Sequence, residues 1–174
     1  MSWIQTFTGK QFFPLDARRA DIDERDVAHA LSLQCRFNGH CRAFYSVAEH
    51  SVRVSQILPD PLALWGLMHD AAEAYLTDLP RPLKEQLPWF RQLEERLLGL
   101  IAERFELGWP MPEEVAQADD RLLATEARDL MAPAPAPWGL RAEPLAEQIQ
   151  PWSPRRAERR FLARFARLSG GQEA

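Results

Sequence analysis

Cysteine is scarce in this 174-residue sequence, which contains only Cys35 and Cys41. Five residues separate the two cysteines, so they do not form a CxxC redox or zinc-binding pair. Two reduced thiols in a cytosolic protein are a simpler interpretation than a disulfide. Long apolar runs are also missing, since no stretch approaches the roughly 18 residues of a membrane-spanning helix, and the N-terminus lacks the basic segment and apolar run of a secretory signal. We therefore expect a cytoplasmic protein with no membrane partner.

A basic excess is likewise absent, because the formal net charge is -4. Proteins that bind a nucleic-acid backbone usually carry a strong positive excess, so we expect no nucleic-acid partner. Small anionic ligands stay compatible with this charge, because a pocket can be locally positive or hold a cation. The length of 174 residues suffices for one domain with a substantial core and is too short to expect two.

Helical spacing of apolar residues dominates the sequence after a short N-terminal segment. The first fifteen residues alternate weakly around Gly9, which predicts a short hairpin or a loop. The predicted helices span about 26–35, 47–58, 60–76, 88–105, 112–131 and 154–168. Alternating alanine and proline over 132–137 predicts an extended connector or exposed loop. We predict an all-α fold, with a single domain over residues 1–174.

The predicted second helix carries an inward histidine. Ser46 and Glu49 have the spacing of a capping box, in which each side chain bonds the backbone near the other. A helix that begins at Val47 then places His50 and Val54 on the same apolar face.

A histidine and a carboxylate stand side by side among apolar residues at His69 and Asp70. Such a pair needs either a buried hydrogen-bond network or a metal ion. Asp60 and Pro61 supply a cap and a first-turn proline for a helix that runs to about residue 76. On that helix His69 faces inward with Trp65.

Two further carboxylates lie near these residues in the predicted fold. Pro80 and Pro82 prevent the helix from continuing and place Asp78 in a stiff loop just beyond it. Asp119 occupies a position of the helix over 112–131 where an apolar residue would be expected.

Three helices thus turn metal-capable side chains inward, from His50, His69 with Asp70, and Asp119. One such residue alone is more often a hydrogen-bonded core residue, but four are poorly explained that way because each adds a desolvation cost. Nitrogen and oxygen donors without thiolate favour iron, manganese, cobalt, nickel or zinc, with magnesium where carboxylates and water dominate. The set leaves open positions for water and a substrate oxygen, as a catalytic site needs.

The order His50, His69-Asp70, Asp119 resembles the H...HD...D signature of the HD-domain metal-dependent phosphohydrolases, a helical superfamily. The HD dipeptide is not specific by itself, whereas HDAAE at 69–73 followed by TDLPRPLK at 77–84 is far more so. These stretches resemble the bacterial 5'-deoxynucleotidase branch and the related small deoxynucleoside triphosphohydrolases of bacteria and phages. The similarity covers most of the chain, from about residue 36 to residue 119, and implies an all-helical bundle with a central metal.

The resemblance also implies roles for individual residues. The metal ligands would be His50, His69, Asp70 and Asp119. Glu73 matches an acidic residue that orients or deprotonates the attacking water, Asp78 a second acid near the leaving oxygen, and Arg36 an arginine that meets phosphate. Lys84 could add a point charge for a longer phosphate chain. Phe37 and Pro82 either sandwich a base or sugar or only pack a loop.

We therefore expect divalent-metal-dependent hydrolysis of phosphate from deoxynucleotides, acting on a 5'-monophosphate or on a di- or triphosphate. The expected partners are a small deoxynucleotide and further copies of the chain in a homo-oligomer. One alternative is a phosphodiesterase of cyclic or oligomeric nucleotides, although the chain lacks the extra histidines and GYP element of the cyclic-dinucleotide branch. Another is a non-catalytic nucleotide-binding regulatory module, although a binder would not need Glu73 and Asp78 for proton transfer.

Overall fold

Helices and one short hairpin account for the regular structure of residues 2–140 and 142–170, the residues that the computed structural model describes. The hairpin pairs β1 (Ile4–Gln5) with β2 (Gln11–Phe12) in antiparallel orientation. The helices are α1 (Glu24–Leu33), α2 (Val47–Ile57), α3 (Asp60–Met68), α4 (Glu73–Leu76), α5 (Arg81–Lys84), α6 (Pro88–Arg104), α7 (Glu113–Leu130) and α8 (Pro154–Ser169). The prediction of an all-α fold with an N-terminal hairpin is confirmed.

The hairpin is tied to the helices by a carboxylate of α1. Asp26 accepts hydrogen bonds from the backbone N–H of Thr8 at 2.6 Å and from its hydroxyl at 2.9 Å. Phe12 of β2 is fully buried and stacks on Tyr75, with ring centroids 4.1 Å apart. The hairpin therefore covers the core on the side where α4 lies.

Helix α2 lies at the centre of the fold and packs against α1, α3, α7 and α8. Ser46 caps it as predicted, because its hydroxyl oxygen accepts the N–H of Glu49 at 3.1 Å. The second half of the predicted capping box is wrong: the Glu49 carboxylate accepts hydrogen bonds from Arg53 and from the N–H of Trp152, both at 2.7 Å. These contacts hold α2 against the segment before α8, and they leave His50 with no exposed surface.

Apolar side chains on opposite sides of α2 form two buried groups. The first joins α2 to α1, α3 and α8 through Val52, Leu67 and Phe161. The second joins it to α3 and α7 through Val54, Trp65 and Leu122. Burial on both sides fixes α2 relative to the helices that carry the other candidate ligands.

The helix predicted over 60–76 is not continuous, and this part of the prediction is wrong. Helix α3 ends at Met68, and the next backbone hydrogen bonds join residues three apart, from Ala71 to Met68 and from Glu73 to Asp70. The carbonyl oxygen of Gly66 accepts a hydrogen bond from Nδ1 of the His69 side chain at 2.8 Å. The tighter turn places the His-Asp pair between α3 and α4.

Two predicted helix starts also differ from the structure. Helix α1 begins at Glu24, earlier than predicted, because Asp23 is its N-cap and accepts the N–H of Arg25. Asp60 is the first residue of α3 and makes no side-chain cap, since Pro59 occupies the N-cap position. Residues 132–137 form no helix or strand, as predicted. Among the described residues, none of the helices has the length and apolar character needed to cross a membrane.

Candidate metal centre

Four predicted ligands meet where α2, the turn after α3, and α7 come together. The Nε2 atom of His50 lies 3.2 Å from Nε2 of His69, 3.1 Å from Oδ1 of Asp119 and 3.5 Å from Oδ2 of Asp70. Nε2 of His69 lies 3.3 Å from the same Asp70 oxygen. The side chains of His50 and His69 are 0% and 5% exposed, whereas that of Asp119 is 28% exposed. The centre is therefore buried on its histidine side and open on its aspartate side.

The hydrogen bonds of the two rings direct their Nε2 atoms toward each other. Nδ1 of His50 lies 2.6 Å from Oε1 of Glu126, and an ionised carboxylate can only accept. Nδ1 of His69 lies 2.8 Å from the carbonyl oxygen of Gly66, which also only accepts. In each neutral ring the proton is therefore on Nδ1, which leaves a lone pair on Nε2. The two Nε2 lone pairs face one another and need a cation or an added proton between them.

The donor set fits a divalent metal ion. Ligands about 2.1 Å from one ion lie about 3.0 to 3.4 Å apart in octahedral or tetrahedral arrangements. The ligand atoms of His50, His69 and Asp119 all lie within 4.8 Å of one another. Within the described residues, the buried Oδ2 of Asp70 has no hydrogen-bond partner, although it faces both imidazoles. A cation would satisfy this oxygen and both ring lone pairs together.

The electrostatics of the centre favour positive charge. Burial and Arg36 oppose a charge on His50, but the carboxylates of Glu126 and Asp119 outweigh them and raise the pKa of His50 to about 9. Burial alone would favour the neutral form of Asp119, yet the hydrogen bond and charge of His50 lower the pKa of Asp119 below its ordinary value. The neighbouring carboxylates therefore favour positive charge at His50, and a metal ion would compete with a proton for this position.

Arg36 lies beside the centre in a short turn with left-handed backbone. The two residues after it, Phe37 and Asn38, have φ of 54° and 51°, which is uncommon for residues with a Cβ. Nη2 of Arg36 donates to Oε2 of Glu126 at 3.0 Å, and Nη1 lies 3.7 Å from Oδ2 of Asp70. Its Nε is buried and has no hydrogen-bond partner among the described residues. The guanidinium thus has donor capacity left for an anion.

A cavity of about 490 Å³ adjoins the centre. Among the predicted site residues, its walls include Arg36, Phe37, Asp70, Glu73, Asp78, Pro82, Lys84 and Asp119. His50 and His69 are not among its lining residues, which agrees with their burial behind Asp70 and Asp119. The structure therefore brings all the predicted catalytic and substrate-binding residues to one cavity that reaches the carboxylate side of the centre.

Two carboxylates of the cavity are poorly solvated. Burial, with the neighbouring charges of Asp70 and Asp78, raises the pKa of Glu73 well above its ordinary value. Burial also raises the pKa of Asp78, against the opposing charge of Arg36. Oε2 of Glu73 is buried and has no hydrogen-bond partner among the described residues. Both carboxyl groups therefore hold a proton more readily than an exposed carboxyl group does.

Lys84 is already paired with carboxylates on this wall. Its Nζ donates to Oε1 of Glu94 at 2.6 Å and lies 3.6 Å from Oε1 of Glu73. Glu73 thus has one oxygen near the ammonium, while its other oxygen is buried without a hydrogen-bond partner among the described residues.

Two residues of the site had no role in the sequence-based prediction. Glu126 lies on α7 seven residues after Asp119, and this shared helix face was the signal that could have identified it. Trp138 follows the Ala-Pro connector and lines the cavity, where its ring meets that of Phe37 edge to face at 5.9 Å between centroids. No local pattern indicated its position, because it depends on how the connector folds back over α7.

Comparison with known proteins identifies relatives but no established activity. No protein-family model matches the chain. The chain is 42% identical over 172 residues to the uncharacterized protein YfdR of Escherichia coli (strain K12), with 97% of each chain covered. It is also 31% identical over 127 residues to an uncharacterized protein of Rhodobacter capsulatus, covering 67% of this chain and 65% of that one. The identity to YfdR extends over nearly the whole of both chains, and this chain therefore belongs to the YfdR family.

Proposed function

We propose that this chain is an HD-type, divalent-metal-dependent phosphohydrolase that removes phosphate from deoxynucleotides. The observation that supports the proposal most is the convergence of two imidazoles and two carboxylates beside a cavity that also holds an arginine and two further carboxylates. A structural metal site would be closed by protein ligands, whereas this centre is open toward the cavity. The choice of deoxynucleotide rests on the resemblance of 69–84 to the nucleotidase branch.

The residues that would hold the ion are His50, His69, Asp70 and Asp119. The chemistry that a divalent ion supplies at such a site is polarisation of a phosphoryl oxygen and of a water molecule. Nitrogen and oxygen donors without thiolate suit manganese, cobalt, nickel, iron, zinc or magnesium.

Arg36 would bind the phosphate. Glu126 occupies Nη2, so Nε and Nη1 remain for phosphate oxygens. Charge-assisted hydrogen bonds of this kind are short and strong, and the permanent charge of Arg36 offsets the carboxylates that crowd the cavity. The arginine therefore both attracts the anion and fixes its orientation.

Glu73 and Asp78 would divide the proton transfers. Glu73 accepts the proton of the attacking water at Oε2, which no protein group occupies among the described residues. Asp78, which lines the same cavity from the loop after α4, would give a proton to the leaving oxygen. Each proton transfer of this kind typically contributes about 100- to 10,000-fold to the rate.

Aromatic and proline side chains also line the cavity. Phe37 and Trp138 form an edge-to-face pair, and Pro82 lines the same cavity. A volume of about 490 Å³ lies within the range of small-molecule sites. We assign the base and sugar of the substrate to these residues.

The test is a nucleotide panel with the metal as a variable. Chelated protein and protein reconstituted with cobalt, manganese or magnesium are incubated with each deoxy- and ribonucleotide mono-, di- and triphosphate, and the released phosphate, diphosphate or triphosphate is identified. The proposal predicts release from deoxynucleotides with metal only, and its loss in Asp70→Ala. No product with any metal, or equal activity in Asp70→Ala, would contradict it.

A further inference from the structure

A buried glutamate joins the metal centre to the phosphate site. Glu126 lies on α7 with no exposed surface, and its two oxygens contact different residues. Oε1 lies 2.6 Å from Nδ1 of His50, and Oε2 accepts from Nη2 of Arg36 at 3.0 Å. One carboxylate thus contacts a candidate metal ligand and the candidate phosphate-binding arginine.

We infer that Glu126 is a positioning residue that directs Nε2 of His50 toward the metal and the guanidinium of Arg36 toward the substrate phosphate. The part that concerns Arg36 rests on the proposed function, whereas the part that concerns His50 requires only a metal. Neither the relatives nor the sequence pattern assigns Glu126 a role.

The chemistry of the three groups requires a carboxylate at this position. Both partners are donors, so the group between them must accept twice without offering a proton. An acceptor on Nδ1 selects the tautomer in which Nε2 is free to bind a cation, and it fixes the rotation of the ring. Oε1 of Glu126 lies within hydrogen-bond distance of Nδ1 of His50 and Oε2 within that of Nη2 of Arg36, so one carboxylate can accept from both donors.

Glu49 provides a matched control in the same fold. It is also fully buried, and it lies on α2 next to His50 in sequence. Its carboxylate accepts from Arg53 and from the N–H of Trp152, not from a residue of the centre. Replacing Glu49 removes a buried carboxylate of similar environment without touching the metal ligands.

The experiment compares Glu126→Gln with Glu49→Gln in the full chain. Glutamine keeps the size of the side chain but has a single acceptor oxygen. Its NH2 group, itself a donor, would therefore face either His50 or Arg36. Calorimetric titration with Mn²⁺ or Co²⁺ should show about 10- to 100-fold weaker binding in Glu126→Gln. Glu49→Gln should bind within about threefold of the wild type, because the contacts of Glu126 with His50 and Arg36 are intact.

A second measurement reports the hydrogen bond directly. A short N–H···O bond from a buried imidazole to a carboxylate gives a far-downfield proton resonance, which should be seen in the wild type and in Glu49→Gln but be lost or move upfield in Glu126→Gln. If Glu126→Gln does not fold, the wild-type spectrum still tests the inference, since absence of the resonance would overturn it. Wild-type metal affinity in a folded Glu126→Gln would also overturn it.

Neither measurement needs nucleotide turnover, so the inference and the proposed function can fail separately. If the wild type shows no hydrolase activity but Glu126→Gln still weakens metal binding, the role of Glu126 toward His50 stands and the proposed hydrolase function is rejected. An active protein in which Glu126→Gln changes neither affinity nor the resonance would reject the inference alone. In an active protein, we expect Glu126→Gln to raise KM for the nucleotide as well, because Arg36 loses its fixed orientation.

Discussion

The Nε2 atoms of His50 on α2 and His69 in the turn after α3 lie 3.2 Å apart, and each ring has its Nδ1 beside an acceptor. Two neutral imidazoles in these tautomers would direct lone pairs at each other. Positive charge between or beside the rings would relieve this repulsion, and the nearby carboxylates of Asp70 and Asp119 favour such a charge.

The distance between the two histidines depends on close packing of α2 and α3. A Cβ added at Gly66 would lie 2.5 Å from Cδ1 of Leu58 and 3.0 Å from Cα of Ser55. Gly66→Ala should therefore separate the helices, lower the free energy of unfolding by about 1 to 3 kcal/mol, and weaken metal binding. Gly99→Ala is the control, because the nearest atom there is 4.0 Å away. Gly99→Ala lies within a helix and should raise the free energy of unfolding by up to about 1 kcal/mol. Denaturant titrations in which Gly66→Ala and Gly99→Ala change the free energy of unfolding equally would contradict the packing argument.

Arg36→Lys should lower kcat/KM for the nucleotide by about 10- to 100-fold. Lysine keeps the charge, but it offers a single ammonium in place of the guanidinium that bonds Glu126 and that we propose binds the phosphate. Arg81→Lys is the matched control, because Arg81 lines the same cavity but has a side chain that is 65% exposed and a distant pair with Asp120. Steady-state kinetics of the two variants would contradict the role of Arg36 if both lost activity equally.

Glu73→Gln should separate activity from stability. Burial, with Asp70 and Asp78, raises the folded-state pKa of Glu73, so ionising this group costs stability once the pH exceeds its unfolded pKa of about 4.3. In chelated protein the substitution should therefore raise the free energy of unfolding by about 1 kcal/mol at pH 7, and the gain should vanish near pH 3. With metal, kcat should fall by about 100-fold or more. A variant that is less stable at pH 7, or fully active, would contradict this assignment.

Asp23 should make the fold sensitive to acid. Its carboxylate caps α1 and pairs with Arg25 and Lys10, each at 3.1 Å. Hydrogen bonds from Arg25, with that of Lys10, outweigh burial and lower the pKa of Asp23 below its ordinary value. The stabilisation is therefore complete above the unfolded pKa of about 3.9 and is lost as the pH falls further.

Asp23→Asn tests this directly, because asparagine keeps the cap and removes the charge. Urea unfolding should give a loss of about 1 kcal/mol at pH 7 and a smaller loss at pH 3, which lies below the unfolded pKa of the aspartate. An equal loss at both pH values would show that the charge of Asp23 does not contribute.

Local chemistry in the sequence accounts for the elements that were predicted well. The serine cap at Ser46 and the helical period of α2 are short-range signals, so they placed the start of the helix and the inward face of His50 correctly. The same period placed Asp119 on the inner face of α7. The prolines after Leu76 ended the helix where predicted and left Asp78 in a loop.

Tertiary contacts account for what the sequence could not predict. The tightened turn at His69 depends on a side-chain bond to Gly66, which competes with the backbone pattern that helical periodicity assumes. The second partner of Glu49 is the backbone of Trp152, 103 residues away, so its departure from the capping box had no local signal. Glu126 stood on the right helix face, but only the approach of Arg36 and His50 gives it a role.

The most direct test of the central claim is calorimetric titration of chelated protein with Mn²⁺ or Co²⁺, comparing the wild type with His69→Ala and His29→Ala. His29 stacks on Phe7 and contacts Glu158, away from the centre, so it is the matched histidine control. The account predicts at least one bound ion per chain in the wild type and in His29→Ala, and binding weakened at least about 100-fold in His69→Ala. No binding in the wild type, or the same binding in all three proteins, would contradict the claim that these residues form a metal centre.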